Sequence, residues 1–227
     1  MLSISAIIFL SGVGIGFPLL AYQSKKKLDA GLVLPKLAFY AETIVLQIGL
    51  LVWALFVARG EDLVLFRPVG DEPRAMLLSA TALAAALGAM LLFVRLAKTD
   101  TRERLAMLVP STQGERFVWV GVSAAAAIGE EVVYRGVMAA LLERLTGSWW
   151  IAIGISAAVF ALAHIVQGWR SVGFIVLFAV VFHLLVRSTG SLAPAVVVHF
   201  LYDVITGFIL GRQFAGKGQQ SSDDPTV

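Results

Sequence analysis

The sequence predicts an all-α fold, a polytopic bundle of about seven transmembrane helices with one amphipathic helix at the membrane interface. Hydrophobic residues make up 59% of the chain and charged residues only 15%, against about 25% charged residues in an average soluble domain. The apolar residues are also grouped into stretches of about 20, the length that an α-helix needs to cross a bilayer. Lipid is therefore the solvent that suits this chain.

Seven apolar stretches predict the membrane spans. They are residues 2–22, 37–57, 75–94, 117–142, 149–166, 172–186 and 192–210, of which the sixth is short. Lys25, Lys26 and Lys27 follow the first stretch, which is therefore interpreted as an anchor, since a secretory signal carries its positive charges before the apolar run. The charged, amphipathic segment 95–116 predicts the interfacial helix, and the polar segment 213–227 predicts a disordered tail.

The basic residues indicate an orientation in the membrane. Most Lys and Arg residues outside the spans fall on one side if the N-terminus is external, so the positive-inside rule predicts a cytoplasmic C-terminus. Richness in Ala, Val and Gly is compatible with a bacterial inner membrane. No basic patch with interleaved aromatic residues is present, so lipid and not nucleic acid is the expected partner. The chain has no cysteine, which excludes disulfides, thiolate metal sites and a cysteine nucleophile.

Ionisable residues lie inside the apolar stretches, where a charge costs roughly 2.5–3.5 kcal/mol. They are Glu42, Glu130, Glu131, Arg135, His164, His183, His199 and Asp203. All but Glu42 fall in the C-terminal half of the chain. Such a cluster is expected only where the groups satisfy one another or take part in chemistry.

These residues recur at helical spacing. The pairs Glu131 and Arg135, Phe160 and His164, and His199 and Asp203 each place two residues on one helix face. With a rise of about 1.5 Å per residue, Glu130, His164 and His199 come out ~9–14 Å above a common inner level. Three separate helices are therefore predicted to bring polar groups to one interior site.

The same residues form motifs that resemble those of the CAAX-protease and bacteriocin-processing (CPBP) intramembrane proteases. Glu130-Glu131-Val-Val-Tyr-Arg135 is similar to the EExxxR motif of that family, Phe160-Ala-Leu-Ala-His164 to its FxxxH motif, and His199-Phe-Leu-Tyr-Asp203 to its HxxxN/D motif. The resemblance covers about residues 102 to 211, and three motifs in order make it specific. It implies a protease core at 102–212 after N-terminal transmembrane helices at 1–101, in which no motif can be placed.

What the resemblance implies is a glutamate-type endopeptidase acting on a membrane-anchored protein or peptide, with no metal or other cofactor. Glu130 and His164 would activate a water for attack on the scissile amide, and His199 and Asp203 would stabilise the oxyanion. An ionised Asp203 cannot donate a hydrogen bond to that oxyanion. This residue is therefore expected either to be protonated or to orient His199.

The remaining polar residues receive structural interpretations. Glu131 and Arg135 would form an ion pair that holds the site together, and Phe160 would shape the pocket wall. His183 belongs to no motif, so packing or a hydrogen bond is its expected role. Glu42 lies near the start of its span and is expected to reach the interface or a water cavity.

Three alternatives stand beside the protease. Two Glu and two His side chains could bind zinc, although the HExxH helix of zincin proteases is missing. A non-catalytic bacteriocin-immunity or scaffold protein could use the same fold, but a degenerate relative should have lost some of the catalytic residue types. A proton-relaying transporter predicts two pseudo-symmetric halves, whereas the polar residues here lie almost all in one half.

Overall fold

The computed structural model describes residues 2–32 and 35–220, with side chains described up to Phe214, and this part of the chain is helical without strands. The α-helices are α1 Ile4–Ser11, α2 Phe17–Asp29, α3 Lys36–Gly60, α4 Glu72–Leu96, α5 Thr99–Leu108, α6 Gln113–Glu130, α7 Ala139–Thr146, α8 Trp149–Ala163, α9 Trp169–Thr189 and α10 Ala193–Gln220. Two π-helical segments, Gly12–Gly16 and Glu131–Met138, join α1 to α2 and α6 to α7 without a break. A 3₁₀ turn, Ile165–Gln167, follows α8.

The predicted fold class is confirmed. Six helical segments of the described chain are long and apolar enough to cross a membrane: Ile4–Asp29, Lys36–Gly60, Glu72–Leu96, Gln113–Thr146, Trp169–Thr189 and Ala193–Phe214. α8 is a shorter apolar helix. Large apolar side chains such as Phe117, Met76 and Trp150 are 84%, 73% and 69% exposed, which suits a surface that faces lipid and not water.

Two details of the sequence-based prediction differ from the structure. The short member of the predicted spans is α8, which ends at Ala163 and has 15 residues, and not α9, which gains polar residues at both ends and has 21 residues. The last helix runs to Gln220 and so extends into the segment predicted as a disordered tail. The rest of that segment, residues 221–227, lies outside the described residues.

Tight turns hold the C-terminal helices together. α7 ends at Gly147 and α9 ends at Gly190, both in the left-handed conformation, with φ of 69° and 71°. Glycine adopts this conformation without steric cost and commonly ends helices. A capping box of Thr112 and Glu115 starts α6. These signals make α6–α7, α8, α9 and α10 antiparallel neighbours, while α3 packs along α6 from the N-terminal half.

Polar contacts tie both ends of the bundle. At one end, Arg144 forms an ion pair with Glu61 at 3.1 Å, and the Ser3 backbone N–H donates to the same carboxylate at 2.9 Å. Hydrogen bonds from Ser3 hold the pKa of Glu61 below its usual range. At the other end, Arg170 pairs with Asp100 at 2.9 Å, which fastens the predicted interfacial helix α5 across the bundle.

Gly207 allows a close approach of α6 to α10. The Trp119 indole N–H donates to the Asp203 carbonyl at 2.9 Å, and a Cβ at position 207 would overlap the indole ring. We expect Gly207→Ala to displace Trp119 and to lower the free energy of unfolding in detergent by about 1–3 kcal/mol. Gly154→Ala is the matched control, because a Cβ there meets no atom within 4 Å. Equal unfolding midpoints for the two variants would contradict this packing.

Candidate active site

Glu130 is the centre of the polar cluster. It is the last residue of α6, and its carboxylate oxygen Oε2 lies 3.7 Å from His164 Nε2 and 3.7 Å from His199 Nε2. Glu130 is 7% exposed. The three helices that the sequence predicted to converge therefore place a carboxylate between two imidazoles.

His164 is held by the end of its helix. The structure places it just past α8, as the C-terminal cap, and not within the helix as the sequence predicted. Its Nδ1 lies 2.8 Å from the Phe160 carbonyl oxygen, which only accepts, so Nδ1 carries the proton. The other ring nitrogen, Nε2, faces Glu130.

His199 is oriented by Glu131. Its Nδ1 donates to Glu131 Oε1 at 2.8 Å, within a buried contact. Its Nε2 faces the Glu130 carboxylate and lies 3.6 Å from Asp203 Oδ2. Glu131 already holds the opposite ring nitrogen of His199. Asp203 is therefore not needed to orient this imidazole. Only an imidazolium could donate from both ring nitrogens, so Nε2 can act as a donor beside Glu131 only in that form.

The predicted ion pair of Glu131 and Arg135 is present, with Arg135 Nη1 3.3 Å from Glu131 Oε1 and both side chains fully buried. The guanidinium also lies over the ring of Phe160 at 4.2 Å and over that of Phe182 at 5.5 Å. Cation–π attraction of this kind partly replaces lost hydration. Phe160 thus supports the arginine in addition to lining the pocket.

One polar contact of the cluster comes from a helix that the sequence motifs did not include. Gln47 of α3 is 7% exposed, and its amide Nε2 donates to Glu130 Oε1 at 2.6 Å. The available signal was a carboxamide in the middle of the apolar stretch 37–57, whose burial is unfavourable without a partner.

The cluster lies at a cavity of about 400 Å³. Glu130, His164, His199, Asp203 and Phe160 all line it. Most of the other walls are apolar, and they come from α2, α3, α4, α5, α6, α8, α9 and α10. An apolar chain can therefore occupy the cavity while the polar groups meet one bond of it.

Four of the eight intramembrane ionisable residues do not line this cavity: the ion-paired Glu131 and Arg135, and also His183 and Glu42. His183 is buried at 4% exposure, and its Nε2 has no hydrogen-bond partner within the described residues. Glu42 is exposed on α3.

The side chains that could ligate a metal are Glu130, His164 and His199. Within residues 2–32 and 35–220, no group of three His, Asp or Glu side chains has the geometry of a metal site. The expectation of a metal-free reaction stays a prediction, for which chelation is the test.

Residues 112–205 match the family model described as Rce1-like, type II CAAX prenyl endopeptidase Rce1-like. This segment is therefore similar to the CAAX-protease family, as the three motifs predict. All three motifs of the Rce1-like core fall inside the match, and the polar cluster is built from them with Gln47 added from outside. The family is one of proteases, which supports a peptidase. No curated protein and no solved structure matches the chain.

Proposed function

We propose that this protein is an intramembrane endopeptidase that hydrolyses a peptide bond of a membrane-anchored protein or peptide with a water activated by Glu130 and His164. The observation that carries the proposal is the position of Glu130 Oε2, 3.7 Å from His164 Nε2 inside a largely apolar cavity. One water can hydrogen bond to both atoms at that separation, with about 2.8 Å to each.

The proposed reaction moves one proton twice. Glu130 takes a proton from the water as the oxygen attacks the carbonyl carbon, which gives a tetrahedral oxyanion. His199 Nε2 and Asp203 face the same volume and stabilise this oxyanion as donors. Glu130 then returns the proton to the leaving amine as the C–N bond breaks, so the products are a carboxylic acid and an amine.

The proposed placement in the cell follows the charge pattern. We propose a multi-pass protein of a bacterial inner membrane with an external N-terminus and a cytoplasmic C-terminus. The positive-inside rule supports this orientation.

The experiment that tests the function uses the full chain in liposomes and membrane-tethered peptides with and without an S-prenyl cysteine. In H₂¹⁸O we expect cleaved products that carry ¹⁸O in the new carboxyl group. Comparison of membrane-protein termini between a deletion strain and its parent then identifies natural substrates. An intact set of peptides and unchanged termini would favour the non-catalytic immunity or scaffold protein.

Treatment with a chelator distinguishes activation of the water by Glu130 from activation by a zinc ion. We expect cleavage to continue unchanged after prolonged treatment with a zinc chelator, because Glu130 supplies the base. Activity that disappears on chelation and returns on addition of zinc would overturn the metal-free reaction.

Asp203→Asn is expected to retain activity within about tenfold of wild type, because an amide supplies a donor of the same shape to the oxyanion. Glu131 holds His199 Nδ1 at 2.8 Å without help from Asp203, so orientation of the ring does not require the Asp203 charge. The measurement is turnover of both proteins across pH. A loss of several orders of magnitude at every pH would assign Asp203 to orienting His199 as a carboxylate.

A further inference from the structure

Gln47 donates a hydrogen bond to only one of the two oxygens of the Glu130 carboxylate. Its amide Nε2 lies 2.6 Å from Oε1, in a buried contact. The other oxygen, Oε2, is the one that lies 3.7 Å from the Nε2 atoms of His164 and His199. A strong hydrogen bond to one oxygen restricts rotation of the carboxylate and leaves the opposite oxygen as the exposed base.

Close packing of α3 against α6 places Gln47 beside Glu130. α3 packs along α6, and the residue of α6 opposite Gln47 is Gly129. A Cβ at position 129 would lie 2.8 Å from Gln47 Oε1 and 3.1 Å from the Gln47 carbonyl oxygen. The missing side chain of Gly129 therefore makes room for the carboxamide immediately before Glu130.

We propose that Gln47 is a positioning residue of the active site, which holds Glu130 so that Oε2 faces the two histidines. The inference rests on the proposed function for its catalytic meaning, although the contact itself does not. It also assigns a role to the N-terminal helices, since the base supplied by residues 112–205 is completed by a donor from α3. The alternative is that Gln47 only joins α3 to α6, as buried polar side chains in membranes do.

The first test needs no substrate. The full chain in liposomes is treated across pH with an apolar carbodiimide, which modifies protonated carboxyl groups, and labelling of Glu130 is followed by mass spectrometry. Gln47→Met keeps the length of the side chain and removes the donor, so we expect Glu130 to be labelled faster than in wild type at each pH, because Oε1 is no longer held by the hydrogen bond. Thr43→Val is the matched control, because Thr43 lines the same cavity from α3 but donates to the Phe39 carbonyl. Equal labelling rates in wild type and Gln47→Met would overturn the proposal.

The second test uses cleavage of a tethered peptide by wild-type protein. We expect Gln47→Met to lower kcat by about 10–100-fold with little change in KM, as for loss of an oriented catalytic group. The acidic limb of its pH–rate profile should also move to higher pH. A purely structural role predicts a lower yield of folded protein with the pH–rate profile unchanged, and that result would reject positioning. If wild type cleaves no peptide, the proposed function fails while the labelling result still decides the role of Gln47.

Discussion

Glu130→Gln is expected to abolish hydrolysis while the protein still folds and inserts. Glutamine keeps the shape of the side chain but accepts no proton from water, and loss of a general base costs typically 10²–10⁴-fold in rate, or about 3–5 kcal/mol of transition-state stabilisation. Glu130 is the group through which both proton transfers of the proposed reaction pass. The measurement is single-turnover cleavage of a tethered peptide in liposomes, together with unfolding in detergent.

Glu42→Gln is the matched control for this prediction. It makes the same change at an exposed carboxyl group of another span, so its rate and stability should equal those of wild type. A Glu130→Gln protein that retains more than about a tenth of the wild-type rate would remove Glu130 from the role of general base.

Glu131→Gln is expected to reduce the yield of folded protein severely. The carboxylate of Glu131 faces Arg135 at 3.3 Å and His199 at 2.8 Å, and it is fully buried. Its neutralisation leaves the Arg135 guanidinium buried without a counter-charge, which costs roughly 3–5 kcal/mol. The measurement is the amount of monodisperse protein recovered in detergent and its unfolding midpoint.

The double variant Glu131→Gln/Arg135→Met distinguishes the effect of Glu131 on folding from its effect on activity. Removing both charges of a buried pair is often close to neutral, so yield should recover, whereas activity should stay low because His199 has lost its carboxylate partner. Asp100→Asn is the control at an exposed pair, where the expected cost is at most about 1 kcal/mol. A single variant as abundant and stable as wild type would contradict the role assigned to Glu131.

The sequence predicts the fold class and the convergence of the motif residues because hydropathy and helical spacing are local properties of the chain. It does not predict contacts that depend on how helices rotate against one another. Gln47 belongs to no motif, and only the packing of α3 on α6 brings it to Glu130. The hydrogen bond from His199 to Glu131 likewise depends on the side chains of two helices that are distant in sequence.

The end of α8 is another point at which the structure differs from the sequence-based prediction. Hydropathy continues smoothly past residue 164, so the sequence placed His164 inside a span. The backbone instead leaves the α conformation at this residue, with φ of −97° and ψ of 12°. The freed carbonyl of Phe160 then accepts from the imidazole. Hydrophobic periodicity does not predict that His164 is the C-terminal cap of α8.

The π-helical segment Glu131–Met138 affects which insertions and deletions this part of the chain can tolerate. A π turn closes with i→i+5 hydrogen bonds and so holds one residue more than an α turn. The Tyr134 carbonyl within it bonds to Ser156 Oγ of α8 at 2.9 Å. Deletion of one residue would convert the π turn into an α turn, and both complete about one rotation of the helix. Glu130 and the face of α7 that packs on α8 would therefore keep their relative directions. We expect homologous chains to be able to differ by one residue between Glu130 and the Gly147 turn, whereas a deletion within the regular part of α6 would turn Glu130 away from the two histidines by about 100°.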